Sequence, residues 1–268
     1  MRLIVEHSTC YRFEFPRKRV VQSHRLTPVG TAAQVIRDWA VMVEDAHFGA
    51  AFTDGAGNRV NTMTLPGPVD SMTVVVRGEV ETTDTAGVLR GLHETIAPPV
   101  YLRETWATAA GIGLLELCEK LQAPRGTLDA AHEMSALVGD EITYTPGATE
   151  ADMTAAEVVE LGKGVCQDQA QVLIAIARIC GTPARYVTGY MLAGEDTNGD
   201  EASHAWVELY VPDLGWVGFD PANQNCPDER YIRVSSGLDA LDAAPIRGIS
   251  LGAGEESMDI QVRVAAQQ

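Results

Sequence analysis

The chain has 268 residues, 46% of them hydrophobic and 21% charged, the values of a globular protein with a substantial core and one large or two medium domains. Lys and Arg number 20 against 37 Asp and Glu, a formal net charge of −17. Such a surface repels phosphate backbones and anionic lipid, which argues against nucleic-acid and membrane partners.

Residues 1–95 read as β-rich. In RLIVEHSTCYRFEF the residues Leu3, Val5, His7, Thr9, Tyr11, Phe13 and Phe15 alternate with mostly polar neighbours, the period of a half-buried strand. VIRDWAVMVED and SMTVVVRGEVETTD carry the same pattern. Between them, Asp54-Gly55 and Gly57-Asn58 predict tight turns. Several short strands with turn signals predict an N-terminal β-sandwich. The start of the chain has too short an apolar run for a signal peptide, and VLIAIA from Val172 is far short of a membrane span.

From residue 96 the character changes to α+β. Pro98-Pro99 predicts a linker, and LRETWATAAGIGLLELCEKL and TLDAAHEMSALVGDEI predict helices. ITYTPGATEADM reads as a loop, after which Thr154 and Glu157 form a capping box for a short helix ending at Leu161. GKGVCQDQAQVLIAIARICGTP follows. Its apolar residues cover nearly the whole circumference of a helix, which predicts burial on all sides, with Gly181 and Pro183 ending it. Strands are expected at ARYVTGYML, HAWVELYV, GWVGFD, YIRV, PIRGISL and MDIQVRV.

The five cysteines, Cys10, Cys118, Cys166, Cys180 and Cys226, are odd in number and scattered, with neither a disulfide framework nor zinc-type spacing, so a reducing cytoplasm is expected. Four of them read as small buried hydrophobes. Cys166 differs because it falls in the first turn of the apolar helix. Unpaired N–H groups and the helix dipole favour an anion there, and with it a thiolate. Gly162 and Gly164 would let an incoming substrate approach the backbone closely. A thiol nucleophile needs a base, and the base an orienting group. His204 opens the strand HAWVELYV, and Asp220 ends the strand GWVGFD. If Leu209 faces Gly215, residues 210–214 form a five-residue loop and His204 sits opposite Asp220, about 5 Å away at Cβ. A one-residue slip would put the two on opposite faces.

The order Cys, His, Asp on a helix N-terminus and two neighbouring strands resembles the transglutaminase-like superfamily of papain-type thiol enzymes. GKGVCQDQAQVLIAIARICGTPARYVTGY resembles its nucleophile helix and following strand, and HAWVELYVPDLGWVGFDPAN its His and Asp segments. HSTCYRF, VQSHRLTP and DGAGNRV resemble the β-domain that precedes this core in a bacterial branch, so the likeness spans nearly the whole chain. The resemblance implies a papain-like core at residues 96–268, with Cys166 as nucleophile, His204 as general base and acid, and Asp220 as orienter. It departs from the branch at Gln169 and Gln171, where an aromatic residue and a histidine are usual. It implies hydrolysis of peptide or isopeptide bonds through an acyl-enzyme, with no cofactor and no metal. Transglutaminase-type transfer to an amine is the alternative, and a peptide-binding module with a vestigial triad a third. The expected partners are a protein or peptide substrate and a second copy of the chain, held by the sandwich as a homo-oligomer. The Cys166 N–H is the natural first oxyanion donor, with Tyr144 a candidate second.

Other motifs carry less. Asp196, Asn198 and Asp200 stand at calcium-loop spacing, but Glu201 and Val207 occupy positions that need Gly and Glu. Trp206 and Trp216 could wall a groove or simply pack. Asp168 is expected to complement the helix N-terminus.

Overall fold

The computed structural model describes residues 1–192 and 202–267; the acidic stretch with Asp196, Asn198 and Asp200 lies outside the described residues. The first sheet has two long strands, β1 (Arg2–Thr27) and β4 (Arg59–Thr82), with β2 (Gln34–Val43) and β3 (His47–Thr53) paired to β4. The short strands expected from the alternation are thus segments of longer ones. On β1 the buried positions are Leu3, Val5, Tyr11 and Phe13 before residue 17, then Val20 and Leu26 after it. The parity switches because pairing with β4 shifts register between Arg12 and Arg19, and a bulge there turns the following side chains to the other face. β4 switches likewise, from Met63 and Leu65 to Met72, Val74 and Val76. Tyr11, Phe13, Val20 and Leu26 of β1 form one core with these β4 residues and Val43, so the sandwich is a single sheet bent over on itself. Pro66 and Pro68 sit at this bend. Gly67 belongs there because a Cβ would lie 2.2 Å from the Arg17 carbonyl oxygen.

The remainder holds α1 (Ile112–Lys120), α2 (Leu128–Glu141), α3 (Ala155–Leu161) and α4 (Cys166–Ile179) against an antiparallel sheet. Its strands are β7 (Ala184–Met191), β8 (Ser203–Val211), β9 (Gly215–Phe219) and β10 (Tyr231–Gly237), in the order β10-β7-β8-β9. Two-residue strands β5 (Thr143–Tyr144) and β6 (Lys163–Gly164) pair in parallel beside them. The helix expected from residue 102 is helical only from Ile112; the preceding residues make two 3-10 turns, the first starting at Pro98. Thr127 caps α2, and Thr154 with Glu157 makes the expected capping box on α3, each worth about 1 kcal/mol. The buried Val172, Leu173, Ile174 and Ile176 put α4 at the centre of the core, against Ala205, Val207, Leu209 and Val211 of β8 and the other helices. Gly181, at φ +79°, ends it as expected.

The last strands, β11 (Ile246–Leu251) and β12 (Glu256–Ala266), return to the N-terminal sheet and pair with β1. The bent sheet then packs Leu3, Val5, Val80 and Val262 against Tyr190, Ile232 and Val234 of the second sheet. Two buried amides reinforce this joint. Gln34 donates to the Arg233 carbonyl and accepts from its N–H, both at 2.8 Å. Asn58 does the same for Ser236, at 2.9 and 2.8 Å. They satisfy backbone groups of β10 that an edge strand would leave open.

Candidate active site

Cys166 is the first residue of α4, where its backbone N–H has no intrahelical partner. Asp168 closes this end. Its carboxylate accepts from the Val165 N–H at 2.8 Å and from the Thr149 hydroxyl at 2.7 Å, the helix complement expected of it. The two glycines beside Cys166 have local reasons rather than the close approach to substrate read from sequence. Gly162 ends α3 at φ +66°. A Cβ on Gly164 would lie 2.7 Å from the Asp168 Cβ, so the glycine makes room for that cap. Gln169 donates to the Ile142 carbonyl at 2.8 Å, tying α4 to the end of α2; Gln171 is buried as well. Tyr144 lies on β5 opposite Gly164, two positions before Cys166.

The hairpin between β8 and β9 differs in register from the expected one. Val211 faces Gly215 and Leu209 faces Val217, so the loop is residues 212–214. The shift is two residues, which preserves face. Asp220 is therefore diagonal to His204 rather than directly opposite, and diagonal neighbours remain within reach of long side chains. His204 Nε2 meets Asp220 Oδ2 at 2.6 Å, with both side chains buried. Cys166 is close enough to the ring to help raise its pKa, and as a thiol it donates to Gln167 Oε1 at 3.1 Å. The structure thus brings all three sequence-predicted residues into one cluster, covered to 5%, 6% and 0% exposure for Cys166, His204 and Asp220.

Burial alone would lower the His204 pKa. The hydrogen bonds to Asp220 and Cys166 and the negative charge of both outweigh it and raise the pKa to about 10. His204 therefore holds a proton at neutral pH and presents positive charge to the sulfur. Burial acts to raise the Asp220 pKa, but hydrogen bonds from His204, Asn223 and Tyr231 bring it below the usual carboxylate value. Its Oδ2 accepts from His204, from Asn223 Nδ2 at 2.7 Å and from the Tyr231 hydroxyl at 2.8 Å. Its Oδ1 accepts from the backbone N–H groups of Ala222 and Asn223, at 3.0 and 3.2 Å. Such a set holds a carboxylate charged in a dry site. Chemically, the cluster offers a sulfur nucleophile, a proton carrier and a fixed counter-charge.

Asn223 and Tyr231 escaped the sequence reading. Asn223 stands in DPANQN directly after Asp220, a turn-rich stretch that signals a loop around the acid. Tyr231 carried no signal, since it comes from β10 at the far edge of the sheet. Trp206 stacks beside the His204 ring, with centroids 6.4 Å apart and planes at 24°, and meets Tyr231 edge-on at 5.5 Å. Trp216 is a packing residue. It lies against Tyr101 and under the Arg185 guanidinium, and donates to Glu94 at 2.7 Å. Among the described residues, no group of three or more His, Cys, Asp or Glu has the placement of a metal site.

Comparison with known proteins fits this architecture. Residues 3–81 match the bacterial transglutaminase-like N-terminal region, and residues 116–221 match the transglutaminase-like superfamily core, including Cys166, His204 and Asp220. An uncharacterized protein of Mycobacterium leprae is 29% identical, with 98% of each chain covered. A protein-glutamine gamma-glutamyltransferase of Pseudomonas aeruginosa is 32% identical over 103 residues, 36% of this chain but 15% of its own. The crystal structure of a candidate cysteine protease from Cytophaga hutchinsonii superposes with a TM-score of 0.78 at 18% identity, covering 99% of this chain and 90% of that one. That likeness extends to the fold of the whole chain, including the strands that return to the N-terminal sheet. The chain thus carries, in the expected order, a bacterial transglutaminase-like N-terminal region at residues 3–81 and a transglutaminase-like superfamily core at residues 116–221.

Proposed function

We propose that the protein is a thiol enzyme that hydrolyses peptide or isopeptide amide bonds, with Cys166 as nucleophile, His204 as acid and base, and Asp220 as orienter. The observation that carries this reading is the buried His204 ring held between Asp220 Oδ2 and Cys166 with its pKa raised to about 10. In the first half-reaction the sulfur, its proton already carried by His204, bonds to the amide carbonyl carbon. The C–N bond then breaks as His204 Nδ1 gives a proton to the leaving amine, and a thioester remains. In the second, water attacks the thioester, His204 takes its proton, and the C–S bond breaks to release a carboxylic acid and restore the sulfur anion beside protonated His204. The Cys166 N–H at the start of α4 is the donor placed for the oxyanion in both steps.

Transfer to a primary amine follows the same first half-reaction, with the amine replacing water. The similarity to the Pseudomonas aeruginosa glutamyltransferase favours this second reading. The substrate is a protein or peptide in either case, and the five free thiols suit a reducing compartment such as the cytoplasm.

The test needs no substrate. Folded protein is treated with substoichiometric iodoacetamide at mildly acidic pH, and the modified cysteine is mapped by mass spectrometry. Cys166 is expected to label first, and His204→Ala to slow that labelling. Uniform labelling of all five cysteines would overturn the reading in favour of a binding module with a vestigial triad. Product masses with and without an added amine then separate hydrolysis from transfer.

A further inference from the structure

We infer that Tyr231 is a positioning residue of this site, fixing Asp220 through its phenolic hydroxyl and linking the site to the N-terminal sheet. The inference rests on the proposed thiol chemistry for its purpose but on geometry for its content. Asp220 Oδ2 is shared by three donors, and the phenol, at 2.8 Å, is the one that arrives from the opposite edge of the sheet. Tyr231 opens β10, at the opposite edge of the sheet from β9, yet its ring crosses beneath β7 and β8 to reach the acid. Gly189 on β7 makes room for the Trp206 ring against which Tyr231 packs. A Cβ at that position would lie 2.6 Å from the Trp206 ring and 2.1 Å from the Ile232 carbonyl oxygen.

The phenol acts on more than distance. Tyr231 packs edge-on against both Trp206 and His204, with centroids 5.5 and 5.9 Å apart. The two aromatic rings thereby restrict the imidazole while the hydroxyl restricts its carboxylate partner. A second contact at 3.0 Å joins the hydroxyl to the Asn225 side chain. Asn225 pairs with Asp220 through the backbone in both directions, so residues 220–231 close a loop around the acid. β10 itself is held by the Gln34 and Asn58 amides of the first sheet. This gives the N-terminal region a physical connection to the site, through β10 and then Tyr231. Tyr231 lies beyond the stretch matched to the superfamily core.

The charged and titratable groups facing Asp220 are His204 on β8, Cys166 on α4 through His204, and Tyr231 on β10 with Arg230 beside it. Removing the phenolic hydroxyl removes one donor to the carboxylate and leaves the ring packing in place. Tyr231→Phe is therefore expected to raise the Asp220 pKa by about one unit or more, the consequence of losing one hydrogen bond to a charged acceptor.

The experiment is NMR titration of isotope-labelled aspartate carboxyls in wild type and Tyr231→Phe, with Asp220 assigned from the missing signal in Asp220→Asn. An upward shift of the Asp220 midpoint in the folded variant supports the inference. An unchanged midpoint overturns it, even if stability falls, because a merely structural tyrosine would leave the acid alone. Should the variant not fold, the wild-type phenolic proton supplies the second measurement. It is expected as a slowly exchanging downfield resonance that moves as Asp220 titrates, and its insensitivity to that titration overturns the inference. Iodoacetamide labelling of Cys166 in wild type reports separately on the thiol reading, so failure of one is distinguishable from failure of the other. Where both hold, the acid limb of the labelling profile moves upward in Tyr231→Phe along with the Asp220 midpoint.

Discussion

Glu208→Gln is expected to destabilise the protein by about 3 kcal/mol without changing its shape. Glu208 lies on β8, 3% exposed, between two buried guanidiniums. Its Oε2 accepts from Arg185 Nε at 2.6 Å, and its Oε1 from Arg233 Nε at 2.8 Å. Burial alone would raise its pKa, but the charges of Arg233 and Arg185 outweigh this and hold it at about 2 rather than 4.5. That shift corresponds to about 3 kcal/mol of preference for the charged form in the folded state. The cost of removing one partner from a buried ion pair is about 3–5 kcal/mol, so the two estimates agree. The low end applies because Arg185 keeps an ion pair with Glu94 while Arg233 loses its carboxylate. Urea unfolding of wild type and variant at pH 7 gives the difference directly, and the melting temperature should fall by about 6–12 °C. The double variant Glu208→Leu with Arg233→Met should recover most of the loss, since neither buried charge of that pair remains. The sign with pH follows from the lowered pKa. Glu208 contributes fully above pH 4.5, and its contribution is lost as pH falls through about 2. A loss under about 1 kcal/mol for Glu208→Gln, or a double variant no better than the single, would refute the argument.

Other outcomes follow from the same structure. His7 and His24 are buried with pKa values lowered by burial to about 4; each should remove about 3 kcal/mol of stability as pH falls from 6.5 through 4. Denaturant titrations across that range would show the slope, and His24→Gln should reduce it. Asn58→Ala leaves the Ser236 N–H and carbonyl of β10 without their partners and should cost about 2–4 kcal/mol in equilibrium unfolding. Asp168→Ala removes the acceptor at the start of α4 and should cost about 1 kcal/mol; the cap reading fails if stability is unchanged. Gly189→Ala puts a Cβ against the Ile232 carbonyl and the Trp206 ring and should cost more than about 2 kcal/mol, which calorimetry would detect.

How much of this was legible beforehand depends on the range of the interaction. The apolar circumference of α4, the Thr154–Glu157 box and the glycine after the helix are local patterns, and each took the expected form. The alternation in β1 identified its inward face as far as Phe13, but Phe15 is exposed and the residues from Val20 to Leu26 follow the opposite parity because a bulge intervenes. Pro16 is the local mark of that bulge, but the bend it allows also depends on Gly67 of another strand, close to the Arg17 carbonyl. The 102–111 stretch misled because its alanines and leucine favour a helix while Gly111 and Gly113 pack closely against α3. Hairpin register was off by two residues because Leu214 and Gly215 fit a longer turn as readily as the shorter one.

By itself the sequence determined the candidate cysteine, histidine and aspartate, because helix start, strand start and strand end are each written in neighbouring residues. Only the tertiary structure decided what surrounds them. Asn223 closes over Asp220 from its own loop, Tyr231 reaches it from the opposite sheet edge, and β11 and β12 return across more than 200 residues to pair with β1. Such contacts depend on burying distant faces together and satisfying their polar groups at once, a condition that no short window of residues can express.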